Sequence, residues 1–141
     1  MIILDTNVVS ELRKGRRAEP RVVDWLAQFD EATQYLSVVT VLELEIGVRR
    51  MERRDPEQGR KLRAWLDTQV LPAFEGRILP FDTPVARRCA TLHVPDPRPD
   101  RDAMIAATAM VHDLTLATRN IRDFDGTGVK LVDPWAERGQ V

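Results

Sequence analysis

Short apolar runs alternate with longer amphipathic stretches along this chain, the rhythm of a parallel sheet covered by helices on both sides. It predicts an α/β domain of three layers, with a central parallel sheet of about five short strands. The strands are expected at Ile2 to Leu4, Tyr35 to Val39, Arg77 to Leu79, Thr115 to Ala117 and Val129 to Val132. With 141 residues, 43% of them apolar, the chain suits a single domain over residues 1–141, burying ~68% of its unfolded surface.

Helix starts are marked by proline. Glu19-Pro20, Asp55-Pro56 and Thr83-Pro84 each place a capping residue before a proline suited to the first helical turn, and Asp55-x-x-Gln58 reads as a capping box. Pro95, Pro97 and Pro99 forbid helix, so a stiff loop delivers the chain to a new helix near Arg101, with Asp100 as its natural cap. The polar tail after Trp135, which includes Gly139, is expected to fray.

Composition excludes several classes. No apolar run reaches the ~20 residues of a membrane span, and the start lacks a signal-peptide pattern, so a cytoplasmic protein without membrane contact is expected. The single cysteine, Cys89, allows no intramolecular disulfide and reads as a half-buried thiol in a helix from Pro84 to Leu92. A net charge of -1 argues against a uniformly basic surface. Nucleic acid contact would then fall to local clusters: Arg49, Arg50, Arg53 and Arg54; Arg60, Lys61 and Arg63; or Lys14, Arg16 and Arg17. The competing reading makes these solvated helix faces, balanced by Glu52 and Glu57.

Three carboxylates stand where such a fold places chemistry. Asp5 ends the first apolar strand, at the edge where open α/β sheets bind ligands. Burying its charge is costly unless something pairs with it. Glu43 follows the second strand; Thr40-x-x-Glu43 also fits a capping box, but Gly47, unfavourable in a helix interior, suggests a close approach on the stripe shared by Glu43, Gly47, Arg50 and Arg54. Glu45 points away and pairs with Arg49. Asp102 falls in the first turn of the helix after the proline loop, with Ala106 and Ala109 below it letting that helix press on the sheet. Each acid has a simpler reading as a cap or dipole partner. Gathered together they would repel one another, and a hard divalent ion, Mg2+ or Mn2+, resolves the repulsion with oxygen ligands alone. Zinc is disfavoured, since His93 and His112 have no Cys-x-x-Cys companion.

Four stretches resemble a known family: Ile3-Leu4-Asp5-Thr6-Asn7-Val8-Val9-Ser10-Glu11-Leu12; Ser37-Val38-Val39-Thr40-Val41-Leu42-Glu43-Leu44-Glu45-Ile46-Gly47; Asp102-Ala103-Met104-Ile105-Ala106-Ala107-Thr108-Ala109; and Ala117-Thr118-Arg119-Asn120-Ile121-Arg122-Asp123-Phe124. They are similar to PIN-domain proteins, in particular the VapC toxins and their FitB-like branch. The resemblance runs from Ile2 to Trp135, with the blocks in the family's order. It implies a PIN-like fold, a magnesium- or manganese-dependent endoribonuclease activity on RNA, homodimerisation, and inhibition by a small VapB-like antitoxin. Asp5, Glu43 and Asp102 match the family's most regular acidic positions. Asn120 stands where many members place a fourth acid, and Asp123 is the candidate to substitute for it. Thr6 and Asn7 match positions that hold the first carboxylate, and Thr118 is placed to orient a ligand or water.

The expected site is therefore Asp5, Glu43, Asp102 and Asp123, supported by Thr6, Asn7, Thr118 and Asn120, with Arg119 and Arg122 as candidates to hold substrate phosphates. Two rivals compete. An aspartyl-phosphate phosphatase needs a second acid two residues after Asp5, where Asn7 stands. A binding module with a degenerate site would act through RNA or antitoxin alone. Trp25, Phe29, Trp65 and Leu66, on helices expected near Val22 to Phe29 and Leu62 to Val70, either pack the core or face such a partner.

Overall fold

The structure, a computed structural model, describes residues 1–136, and the frayed tail expected beyond Trp135 lies, from residue 137 onward, outside them. Five strands form one sheet: β1 (Ile2–Leu4), β2 (Gln34–Ser37), β3 (Ile78–Leu79), β4 (Thr115–Ala117) and β5 (Leu131–Val132). All neighbouring pairs are parallel, in the order β3-β2-β1-β4-β5. The chain steps outward from β1 through β2 to β3, then returns to the other side of β1 for β4 and β5. The strand order thus reverses beside β1, and ligands of open α/β sheets bind at the strand carboxyl ends at such a reversal.

Both faces of the sheet are covered. Ile2 and Leu4 of β1 point into a core with Val8 and Val9 of α1 (Thr6–Leu12), Val22 and Trp25 of α2 (Pro20–Leu26), Leu44 and Val48 of α3 (Val38–Arg54), and Leu62 of α4 (Pro56–Trp65). That core continues through Leu66 and Val70 of a π-helical turn, Leu66–Val70, which leads into the short α5 (Leu71–Ala73). Ile3 points the other way, with Leu116 of β4 and with Ile105, Ala106 and Ala109 of α7 (Asp100–Val111). Ala103 and Ala107 turn to Val85 and Cys89 of α6 (Thr83–Leu92). Alternate β1 side chains therefore serve opposite layers, and each fully buried Ile or Leu contributes about 1.5–3 kcal/mol. The small residues of α7 bring its backbone close to the sheet, as expected. No helix among the described residues is long and apolar enough to cross a membrane.

Several sequence expectations require correction. Val38 and Val39 belong to α3 rather than β2, because the Ser37 hydroxyl accepts the Val39 N–H at 3.0 Å and opens the helix there. The β-branched pair is overridden by this cap, and the Thr40-x-x-Glu43 capping box does not form. Asp100 is the first residue of α7, not its cap; Pro99 precedes it without a capping side chain. Asp82 rather than Thr83 caps α6, accepting the Val85 N–H at 3.2 Å. Glu19 and Asp55 cap α2 and α4 as read. Strands β3 and β5 hold two residues each, shorter than expected.

Gly47 does not mark a close approach: a Cβ there would meet nothing within 4 Å. The tight contact is at Gly59 in α4, where a Cβ would come 2.4 Å from Glu52 Cα in α3. Cys89 is buried rather than half-buried. Trp25 and Leu66 are buried, and Phe29 and Trp65 pack against the same core, so all four serve packing; Phe29 lies past the end of α2 and meets Trp25 ring to ring at 4.8 Å.

Candidate active site

The carboxyl end of β1 delivers Asp5 to the strand reversal, where its backbone N–H bonds to Ala117 O of β4 at 2.9 Å. Asp5 caps α1 through Oδ1, which accepts the Thr6 N–H at 2.8 Å. Capping uses only one oxygen. Oδ2 accepts from the Thr118 hydroxyl at 2.7 Å and from Asn7 Nδ2 at 3.3 Å. Thr118, fully buried after β4, also accepts from Asn7 Nδ2 at 3.2 Å and from the Asn120 N–H at 3.0 Å, while Asn7 Oδ1 accepts the Arg119 N–H at 3.2 Å. Asn7 thus acts as a brace between the ends of β1 and β4. It donates to the very carboxylate beside which a phosphatase would need a second acid.

Glu43 reaches the same place from the second turn of α3. Its Oε1 accepts from the Thr6 hydroxyl at 2.7 Å, and Thr40 Oγ1 lies 3.4 Å from that hydroxyl. Its Oε2 stands 3.7 Å from the Arg101 guanidinium. Asp102 enters from the first turn of α7, and Asp123 from a 3-10 turn over Ile121–Phe124.

Electrostatics show that these acids share one neighbourhood. Asp102 is pushed up to about 6, first by burial and then by repulsion from Asp5, Asp123 and Glu43. Asp5 is raised by burial; the hydrogen bonds from Thr118 and Thr6 pull it back, and Glu43 and Asp123 push it up further. Charges from separate segments therefore meet here: Asp5, Asp123 and Glu43 act on Asp102, and Glu43 and Asp123 act on Asp5. They do not stand as a closed ligand set: among the described residues no three His, Cys, Asp or Glu side chains are placed to grip one ion. Thr6 and Arg101 each engage one carboxylate oxygen of Glu43. The donor chemistry is nonetheless all oxygen, which suits a hard divalent cation, and Asp5, Asp102 and Glu43 are the residues that could hold one.

Asn120 joins the site through its backbone only, with an exposed side chain. Arg119 and Arg122 are exposed beside it, lining one cavity with Asp123. Two arginines of the basic clusters are engaged elsewhere: Arg63 grips Glu45 through two bonds of 2.8 and 2.7 Å and also reaches Glu52, while Arg49 pairs with Glu45 at 3.1 Å. His93 accepts the Arg98 N–H at 3.2 Å, tying down the proline loop. Sequence reasoning passed over Thr40 and Arg101. Thr40 sits one turn before Glu43 on the same helical face, a readable signal; Arg101 reads in the sequence only as marking the start of a helix.

A parallel sheet covered by helices, with acidic side chains at its strand reversal, makes this an open α/β domain with its candidate site at the strand carboxyl ends. The chain belongs to the PIN domain family, whose pattern matches residues 2–130. It is 42% identical over 146 residues to the VapC ribonuclease Y4jK of Sinorhizobium fredii, covering 96% of this chain and 98% of that protein. It is 41% identical to the toxin FitB of Neisseria gonorrhoeae, covering 96% and 99%. The crystal structure of FitAcB from Neisseria gonorrhoeae superposes with a TM-score of 0.88 at 39% identity, over 97% of this chain and all of that one.

Proposed function

We propose that this chain is a VapC-like toxin, a single-domain endoribonuclease that hydrolyses RNA phosphodiesters with a divalent metal, Mg2+ or Mn2+, and is neutralised by a small VapB-like antitoxin. The observation that carries the reading is the gathering of acids from four segments at the strand reversal, where burial first, and then the charges of Asp5, Asp123 and Glu43, push Asp102 up to about 6. The family's PIN fold and the ribonuclease and toxin relatives support it. The antitoxin and a homodimeric assembly rest on the resemblance of the sequence blocks to VapC toxins.

Asp5 and Asp102 would hold the ion, with Glu43 joining them directly or through water. When bound, the metal supplies positive charge against the phosphodiester and acidifies a water. Thr118 and Asn7 donate to Oδ2 of Asp5 and fix the orientation of its carboxylate. Thr6 aims Glu43. Asp123, rather than Asn120, takes the place of the fourth acid. Arg119 and Arg122 hold substrate phosphates.

The test is RNA digestion with Mn2+ and with EDTA, using the wild type and Asp5→Asn. Cleavage is expected only for the wild type with metal. Intact RNA in every tube would leave a binding module, and metal-independent cleavage would remove the acids from the chemistry.

A further inference from the structure

The Arg119 side chain is the wall between two cavities. On one side lies a space of about 370 Å³ with Arg122, Asp123 and Asp133, at the edge of the acidic cluster. On the other lies a space of about 280 Å³ whose cations are Lys14, Arg17, Arg21 and Arg119. Its carboxylates are engaged: Glu11 accepts from Lys14 Nζ at 2.9 Å and from the Glu19 N–H at 3.0 Å, and Glu19 accepts from Arg21 Nε at 2.8 Å. Arg17 is exposed and makes no ion pair among the described residues.

Arg119 is held at both ends. Its backbone N–H is bound by Asn7, the brace of Asp5, and its guanidinium carbon sits 5.2 Å from the centroid of the buried Trp135 ring. The Trp135 backbone N–H in turn donates to Asp133 Oδ1 at 2.8 Å. A guanidinium held over an indole offers its other side to a ligand, and unpaired bases stack on arginine guanidinium planes. A strand whose phosphodiester lies at the carboxylates must pass out over a neighbouring wall. Arg119 is the wall beyond which the charge turns from acidic to basic.

The geometry points to this second cavity as a subsite for the nucleotide next to the cleaved bond of a single-stranded RNA. The base lies on the guanidinium of Arg119, backed by Trp135, and the adjoining phosphate is held by Arg17 with Lys14. This assignment rests on the endoribonuclease reading, and it makes Arg119 more than a phosphate contact.

The experiment measures, by fluorescence anisotropy in EDTA, binding of the full chain to a labelled single-stranded oligoribonucleotide and to forms shortened one nucleotide at a time from each end. The wild type should lose affinity about tenfold at one shortening step. Arg119→Ala and Arg17→Ala, both exposed and checked for folding by circular dichroism, should bind the long form about tenfold more weakly and show no step. Arg119→Lys keeps the charge without the plane, so it should keep its salt dependence but still lack the step. The assignment is overturned if the wild type shows no step or no binding, if Arg119→Lys behaves as wild type, or if the alanine variants bind RNA normally and instead lose a protein partner. A parallel digestion with Mn2+ separates the two readings. A step without cleavage removes the nuclease and keeps the subsite; cleavage without a step does the reverse.

Discussion

The Thr118 hydroxyl, carried on the end of β4, donates to Asp5 Oδ2 at 2.7 Å across 113 positions of sequence. This bond opposes the burial that raises Asp5, so its loss leaves the carboxyl harder to ionise. Thr118→Val preserves shape and deletes the donor. It is expected to reduce Mn2+-dependent cleavage by about 10- to 100-fold, and to move the acid limb of the pH–rate profile to higher pH. Kinetics across pH 5 to 8 check both, and an unmoved limb would show that Thr118 acts only in packing.

Asp102 yields a pH dependence of definite sign. Its carboxyl is raised from 3.8 to about 6, so the folded chain holds that proton more tightly than the unfolded chain does. Its contribution to stability is fully present below the ordinary value of 3.8 and is lost as pH rises through 6. In EDTA, the melting temperature of Asp102→Asn should therefore gain on the wild type as pH climbs from 4 to 7. Mn2+ affinity of the wild type should run the opposite way, rising over the same range as the competing proton leaves. Thermal melts and calorimetric titrations at matched pH values test the pair.

Two glycines on the α3–α4 hairpin should respond in opposite directions to alanine. At Gly59 a Cβ would lie 2.4 Å from the Glu52 backbone, so the helices must part, at a cost of about 1–3 kcal/mol. At Gly47 the space is open and the residue is mid-helix, so Gly47→Ala should stabilise by about 0.5–1 kcal/mol. Urea unfolding of both variants decides the matter. A destabilised Gly47→Ala would mean that this site needs glycine for a reason outside the monomer.

That contrast also shows what a sequence conceals. A glycine within a helical pattern announces an anomaly but not its cause, and the contact that requires one of the two is set by how α4 folds back on α3. The strands β1 and β4 were legible because each is a contiguous apolar or β-branched run ended by a polar residue. The end of β2 was not, since one Ser37 hydrogen bond outweighs the strand preference of two valines. Asp5, Glu43 and Asp102 could be picked out by their positions after strands and at a helix start. The way Thr6 and Arg101 divide the oxygens of Glu43 depends on the packing of α1, α3 and α7, which no local spacing encodes. Arg63 was read as one member of a basic cluster, whereas its charge is spent joining α3 to α4.

The fourth acid provides the last prediction. By the resemblance, Asn120 stands where many members place a fourth acid, yet only its backbone touches the site, through Thr118. Asp123, one turn further on, acts electrostatically on both Asp5 and Asp102. Removing that negative charge should ease the ionisation of Asp102, so Asp123→Asn is expected to lower the Asp102 titration midpoint below about 6, read by NMR of the carboxyl carbon. The same variant should cut metal-dependent cleavage about tenfold or more if Asp123 serves as the proposed fourth acid. Asn120→Asp should move the midpoint upward by adding a like charge nearby. If Asp123→Asn leaves both midpoint and cleavage untouched while Asn120→Asp raises activity, the substitution of one acid for the other is wrong, and the site works with three carboxylates.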